Sequence, residues 1–153
     1  MGTSTDGQIC FGYVFDDGYE FPWSEEEESG GGDIETWWRN IRGFSPSQRP
    51  DWGNDSQPNR QQVMDTYFAE RNAFDIAHPL PVKLVNYCSH DYPMYILAVP
   101  ATYREASRGY PEAFTPSDLH VTEEGAAKLK AFIEEFALKP KGEPQWWLSS
   151  YWG

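Results

Sequence analysis

Basic residues are scarce in this chain. Twelve lysines and arginines stand against 24 aspartates and glutamates, which leaves a net charge of −12 and an isoelectric point near 4.5. That balance excludes a general nucleic-acid binder held by phosphate contacts, because such binding needs a surplus of cations. Cysteine is scarcer still, with Cys10 and Cys88 alone. Two thiols cannot make a disulfide framework, and a chain of 153 residues buries enough surface to fold without one. The default reading is two reduced cysteines. No apolar run approaches the roughly 20 residues needed to span a bilayer, so no membrane partner is expected. The opening residues have neither a basic stretch nor an apolar one and do not read as a secretory signal. Catalytic signatures are missing as well. There is no phosphate-cradling glycine loop, no Gly-x-Ser-x-Gly and no His-Glu-x-x-His. The expectation is therefore a protein without enzymatic activity and without a cofactor.

Aromatic residues are abundant: seven Trp, nine Tyr and nine Phe. A disordered chain is poor in such side chains, so the composition argues for a folded domain over residues 1–153. Residues 8–15 are rich in β-formers and read as a strand, followed by a turn at Asp16-Asp17-Gly18. A short strand is expected over 19–23. Four adjacent glutamates and three glycines make residues 24–32 a flexible acidic loop. Asp33 caps a helix whose Ile34, Trp37, Trp38 and Ile41 share one face, and Gly43 ends it. Residues 44–58 are irregular, with Phe44 and Trp52 placed to pin them down. A second helix is read over 59–77, a hairpin over 82–88 and 94–99, a third helix after Thr122, and a last strand through Trp146 and Trp147. Residues 100–121 read as irregular. The sum is an α+β fold, a single antiparallel sheet of four to five strands packed against about three helices.

The acids are unevenly spread. Nine fall between Asp16 and Glu35 with no base among them. Such a patch raises a strong negative potential and speeds encounter with a basic partner. Asp16, Asp17, Glu20, Glu25, Glu26, Glu27 and Glu28 are accordingly the candidate partner-binding residues. The plainer alternative is a solvated loop that keeps the protein in solution. A second candidate site is Tyr103, Arg104, Arg108 and Tyr110, where two guanidiniums beside two rings could clamp a nucleotide. Surface arginines paired with Glu105 and Glu112 are the alternative there. A third is metal. Cys88 and His90 fall on one side of an extended chain, and with Cys10 on an adjoining strand they would offer three zinc ligands. Two core thiols and a loop histidine are the simpler account. Finally, Trp146 and Trp147 must face opposite sides of any strand, so one of them belongs to a second layer or to an interface, where tryptophan often anchors binding.

Three stretches carry a resemblance: Met1-Gly-Thr-Ser-Thr-Asp-Gly-Gln-Ile-Cys-Phe-Gly, Asn86-Tyr-Cys-Ser-His-Asp-Tyr-Pro-Met-Tyr-Ile-Leu-Ala-Val, and Trp147-Leu-Ser-Ser-Tyr-Trp-Gly. Together they resemble small accessory proteins of tailed bacteriophages, a group that brings no catalytic residues with it. The resemblance implies residence in the cytoplasm of an infected bacterial host and engagement of host machinery. Joined to the acidic tract, it gives an expectation of counter-defence. The chain would bind and inhibit a host protein, such as a basic nucleic-acid-binding or defence protein, by contact alone and without touching nucleic acid itself. Sequestration of a nucleotide signal and a small zinc-dependent enzyme stand as the alternatives.

Overall fold

Gly12 fixes the geometry of the sheet. In the computed structural model, which describes residues 5–24, 33–54, 56 and 58–152, a Cβ on Gly12 would overlap the carbonyl oxygen of Leu97 and lie 2.7 Å from the Cα of Ala98. Only a residue without a side chain admits so close an approach. Through this point runs one row of paired residues, Gln145, Gly12, Ala98 and Lys83.

Four strands meet in that row: β1 (Thr5–Val14), β2 (Lys83–Ser89), β3 (Pro93–Ala98) and a C-terminal strand, Gln145–Trp152. A three-residue strand, β4 (Arg104–Ala106), pairs with Gly7 to Ile9, and the C-terminal strand is accordingly β5. The sheet order is β3–β2–β5–β1–β4, with a further pairing of β3 with β1. With α1 (Ile34–Ile41), α2 (Arg60–Ala77) and α3 (Glu123–Glu135), this is an α+β fold of five strands and three helices. Every pairing is antiparallel except one, so the sheet is mixed. β2 and β5 run parallel through Cys88↔Tyr151 and Ser89↔Trp152.

The parallel contact follows from the registers. β5 leaves the Gly12 row toward the start of β1, pairing Cys10 with Trp147 and Asp6 with Tyr151. The β2–β3 hairpin leaves the same row toward the end of β1, pairing Val14 with Ile96 and Ile96 with Val85. The two arms depart in opposite directions, yet Cys88 and Tyr151 near their far ends are partners. The sheet therefore coils back over one of its own faces, an extreme of the usual strand twist. Cys88, at this contact, has φ at +77°, a conformation that costs a non-glycine residue about 1–2 kcal/mol. The inner face so formed carries the core. Cys10, Val85, Ile96 and Ala98 are buried there, and Val14, Tyr87, Tyr103 and Trp147 pack against them.

Between β3 and β4 a hydroxyl replaces the ladder. The chain leaves β3 in a 3-10 turn, Pro100–Thr102. The buried Thr102 Oγ1 accepts from the Phe11 amide at 3.0 Å and donates to the Val99 carbonyl at 2.6 Å. β4 was not foreseen, since three residues carry no alternation to read. The expected strand over 19–23 is instead a turn held by rings. Gly18 sits at φ +72°, and Tyr19 and Phe21 pack against Phe15, tilted and edge-on, with ring centroids 4.7 and 4.8 Å away. Thr122 caps α3 by accepting from Gly125, and Leu129, Phe132 and Ile133 form its buried stripe.

The chain divides into two compact units: residues 1–22 with 81–153, and residues 23–80. The second unit is built on α1 and α2. Asp33 caps α1 by accepting from the Thr36 amide, and Gly43 ends it at φ +84°. The Arg39 guanidinium meets both carboxylate oxygens of Asp75 on α2, at 2.8 and 3.0 Å. Trp38 Nε1 donates to the His78 carbonyl at 2.9 Å. The irregular segment over 44–58 is pinned as its aromatics predict, by Phe44 against Tyr67 and Phe74 and by Trp52 against Tyr67 and Phe68.

Two substitutions test the sheet by urea denaturation. Gly12→Ala is expected to cost about 2–3 kcal/mol, because the added methyl meets backbone that cannot yield. Thr102→Val keeps the shape, and the Val99 carbonyl keeps the Thr102 amide at 3.0 Å, but the Phe11 amide is stranded, and the change is expected to cost about 1–3 kcal/mol.

Candidate functional site

The coil of the sheet leaves a cleft. β2 and β5 are paired only at Cys88 and Ser89, with Tyr151 and Trp152. Below that contact they separate, and an open groove of about 960 Å³ lies between the hairpin and β5. Its floor is the inner face: Val14, Tyr87, Met94, Ile96 and Trp147. Trp147 is held in place by its indole N–H, which donates to the Gly12 carbonyl at 2.9 Å. Trp146, on the opposite face, sets its ring edge-on to Phe11 at 5.8 Å. The adjacent pair thus serves two faces, and the inner member lines the cleft.

The groove's wall on β5 has an unusual composition. Trp147, Leu148, Ser149 and Ser150 all border it. Side chains of a strand alternate between faces, so a cleft over one face touches every second residue. Four in succession mean that the edge of the strand, with its backbone, forms the wall. Leu148 lies on the outer face and is 83% exposed.

Acids stand at the mouth. Asp16 meets Lys141, the only charged residue of the groove wall among the described residues, at 3.5 Å. Asp16 and Asp17 also border a recess of about 50 Å³ beside Met94, which faces the groove from its other side. Burial pushes the Tyr87 phenol up, and the neighbouring Cys88 and Asp17 charges push it further. Of the remaining acids read from the sequence, Glu20 is exposed outside these walls, and Glu25, Glu26, Glu27 and Glu28, with the rest of the loop through residue 32, lie outside the described residues.

The nucleotide residues do not gather. The Tyr103 ring packs on the Cys10 cluster, under the Lys83 ammonium at 4.6 Å, and its hydroxyl donates to Glu105 at 2.6 Å. Arg104, next in an extended chain, is exposed and donates to the carbonyls of Ala101 and Tyr103. The Arg108 amide donates to Asp6, and Tyr110 is exposed. The zinc residues do not gather either. Cys10 is buried beneath Trp147, Cys88 is exposed, and the His90 amide donates to the Trp152 carbonyl. The left-handed backbone at Cys88 breaks the alternation that would have put Cys88 and His90 on one side. Among the described residues no group of three or more His, Cys, Asp or Glu side chains is placed to hold a metal ion.

Sequence reasoning singled out Asp16, Asp17 and the Trp147 pair but not Tyr87, Met94 or Leu148. Their signal is weak: the groove lies where the strand registers bring β2 and β5 together at one end only, and no local pattern announces that. Comparison with protein-family models, curated proteins and solved structures finds no match.

The two thiols make a chemical check of this arrangement. Burial pushes the Cys10 thiol up to about 11, against 9.0 for a free one, with a smaller opposing pull from Lys83. One thiol per chain, Cys88, is expected to react with a disulfide reagent at pH 8, and two after denaturation. The folded state holds the Cys10 proton more tightly than the unfolded state does. Its contribution is complete below pH 9 and fades as the pH rises from 9 to 11, so urea midpoints should fall over that window and fall less in Cys10→Ala.

Proposed function

We propose that this chain acts by contact rather than by catalysis: it binds a protein of an infected bacterial host, in the cytoplasm, and blocks it as part of phage counter-defence. The groove carries the contact half of this reading. An apolar cleft lined by Tyr87, Met94 and Trp147 and bordered by Asp16 and Asp17 has the aromatic anchors and the charged rim of a binding surface. The host and the inhibition come from the resemblance to phage accessory proteins, and the overall negative charge favours a basic target. A nucleotide fits the groove poorly. Among the described residues its one cation is already paired with Asp16, and no arginine stands in its wall to fork a phosphate. No helix among the described residues is long and apolar enough to cross a membrane.

The test is capture from lysate of an infected host, with full chain as bait. Asp16→Lys with Asp17→Lys, and separately Met94→Asp, are expected to lower recovery of a reproducible host protein at least tenfold while leaving the circular dichroism spectrum unchanged. Equal recovery by both variants removes the groove from the reading. Recovery of no host protein by the unaltered chain removes the reading itself.

A further inference from the structure

We infer that the groove receives an extended segment of the protein partner, which adds as a strand to the open edge of β5. The inference rests on the contact reading above and specifies its chemistry. Three observations carry it. First, the edge is identified. The Trp152 carbonyl accepts from His90, the residue that follows β2, at 3.0 Å, and Trp152 pairs with Ser89, so Trp152 turns its backbone groups toward β2. In a strand the two groups of a residue point to one side and alternate along the chain. Ser150 and Leu148 therefore turn theirs the same way. The pairing with β2 reaches only Cys88 and Ser89, so at Leu148 that side of β5 has no strand partner among the described residues.

Second, the space beside the edge suits a polypeptide in extended form. β1 already pairs with β5 over eight residues on the other side, which gives the edge a fixed twist and spacing. A strand laid against Leu148 would place every second side chain on the apolar floor, over Tyr87, Ile96 and Trp147. Its other side chains would rise beside the exposed Leu148. This is the division of labour in strand addition, with main-chain bonds giving affinity and alternate pockets giving selectivity.

Third, charge chooses the occupant. The unit that holds the groove, residues 1–22 and 81–153, has thirteen carboxylate residues against seven lysines and arginines, a net −6. Asp16 and Asp17 stand at the mouth. A second copy would bring the same negative surface to the same mouth. A segment of a basic partner, alternating apolar residues with lysine or arginine, meets both the floor and the rim.

The experiment selects displayed random 12-residue peptides against the full chain. Enriched sequences are expected to alternate branched apolar residues with lysine or arginine. A synthetic copy should slow amide hydrogen exchange at Leu148 at least tenfold. Methylating alternate backbone nitrogens of the peptide in one phase should cut its affinity at least tenfold, while the opposite phase leaves it nearly unchanged. Leu148→Pro removes the edge donor, and Leu148→Ala, which keeps it, is the folding control. The inference is overturned by no enrichment, by helical peptides, by protection away from β5, or by indifference to methylation. It is likewise overturned if sedimentation gives a dimer and Leu148→Pro dissolves it, since a second copy then owns the edge. Host-protein capture that needs Asp16 and Met94 but survives Leu148→Pro would keep the contact reading while ending strand addition.

Discussion

Everything in the larger unit depends on two backbones approaching at Gly12. The missing side chain lets β3 lie against β1 in the row that also carries β5 and β2. From that row the two arms of the sheet go opposite ways, and their reunion at Cys88 and Tyr151 is possible only because the sheet coils. The core and the groove are then two parts of one surface. Where the coil closes tightly, Cys10, Val85, Ile96 and Ala98 exclude water. Where it stays open, the same face is presented to solvent as Tyr87, Met94 and Trp147. Burying such a face is worth roughly 25 cal/mol per Å² of apolar area, so leaving part of it open sets aside free energy that a partner can recover.

Local signals in the sequence were strong where one interaction decides an element. Asp33 and Thr122 cap their helices, and of the 3.6-residue stripes that follow them Ile34, Trp37 and Trp38, and Leu129, Phe132 and Ile133, are buried, while Ile41 in the last turn of α1 is exposed. Gly43 ends α1 in the left-handed region. The hairpin and the last strand fall where alternating and aromatic residues place them. The α+β class was legible from these alone.

What was not legible is non-local. β4 is three residues long and exists because Thr102 lends a hydroxyl where the ladder fails. Tyr19 and Phe21 have strand-forming side chains but find rings before they find a strand. The parallel step between β2 and β5 falls at a cysteine in a conformation that cysteine rarely adopts. Of the candidate site, the acids at Asp16 and Asp17 and the inner tryptophan could be picked out by charge and by adjacency. The groove that joins them could not, since it is a property of registers rather than of residues.

The long register between β1 and β5 has a kinetic side. Cys10 and Trp147, partners across that ladder, are 137 positions apart in the chain. Pairings so distant raise the contact order and slow folding. During synthesis β1 waits, with Ile9 and Phe11 still without their β5 partners Leu148 and Trp146, until residues 145–152 have left the ribosome. A nascent chain in that condition is prone to stick to its neighbours. The heavy negative charge of its first fifty residues, ten acids against three bases, keeps such chains apart for as long as the wait lasts.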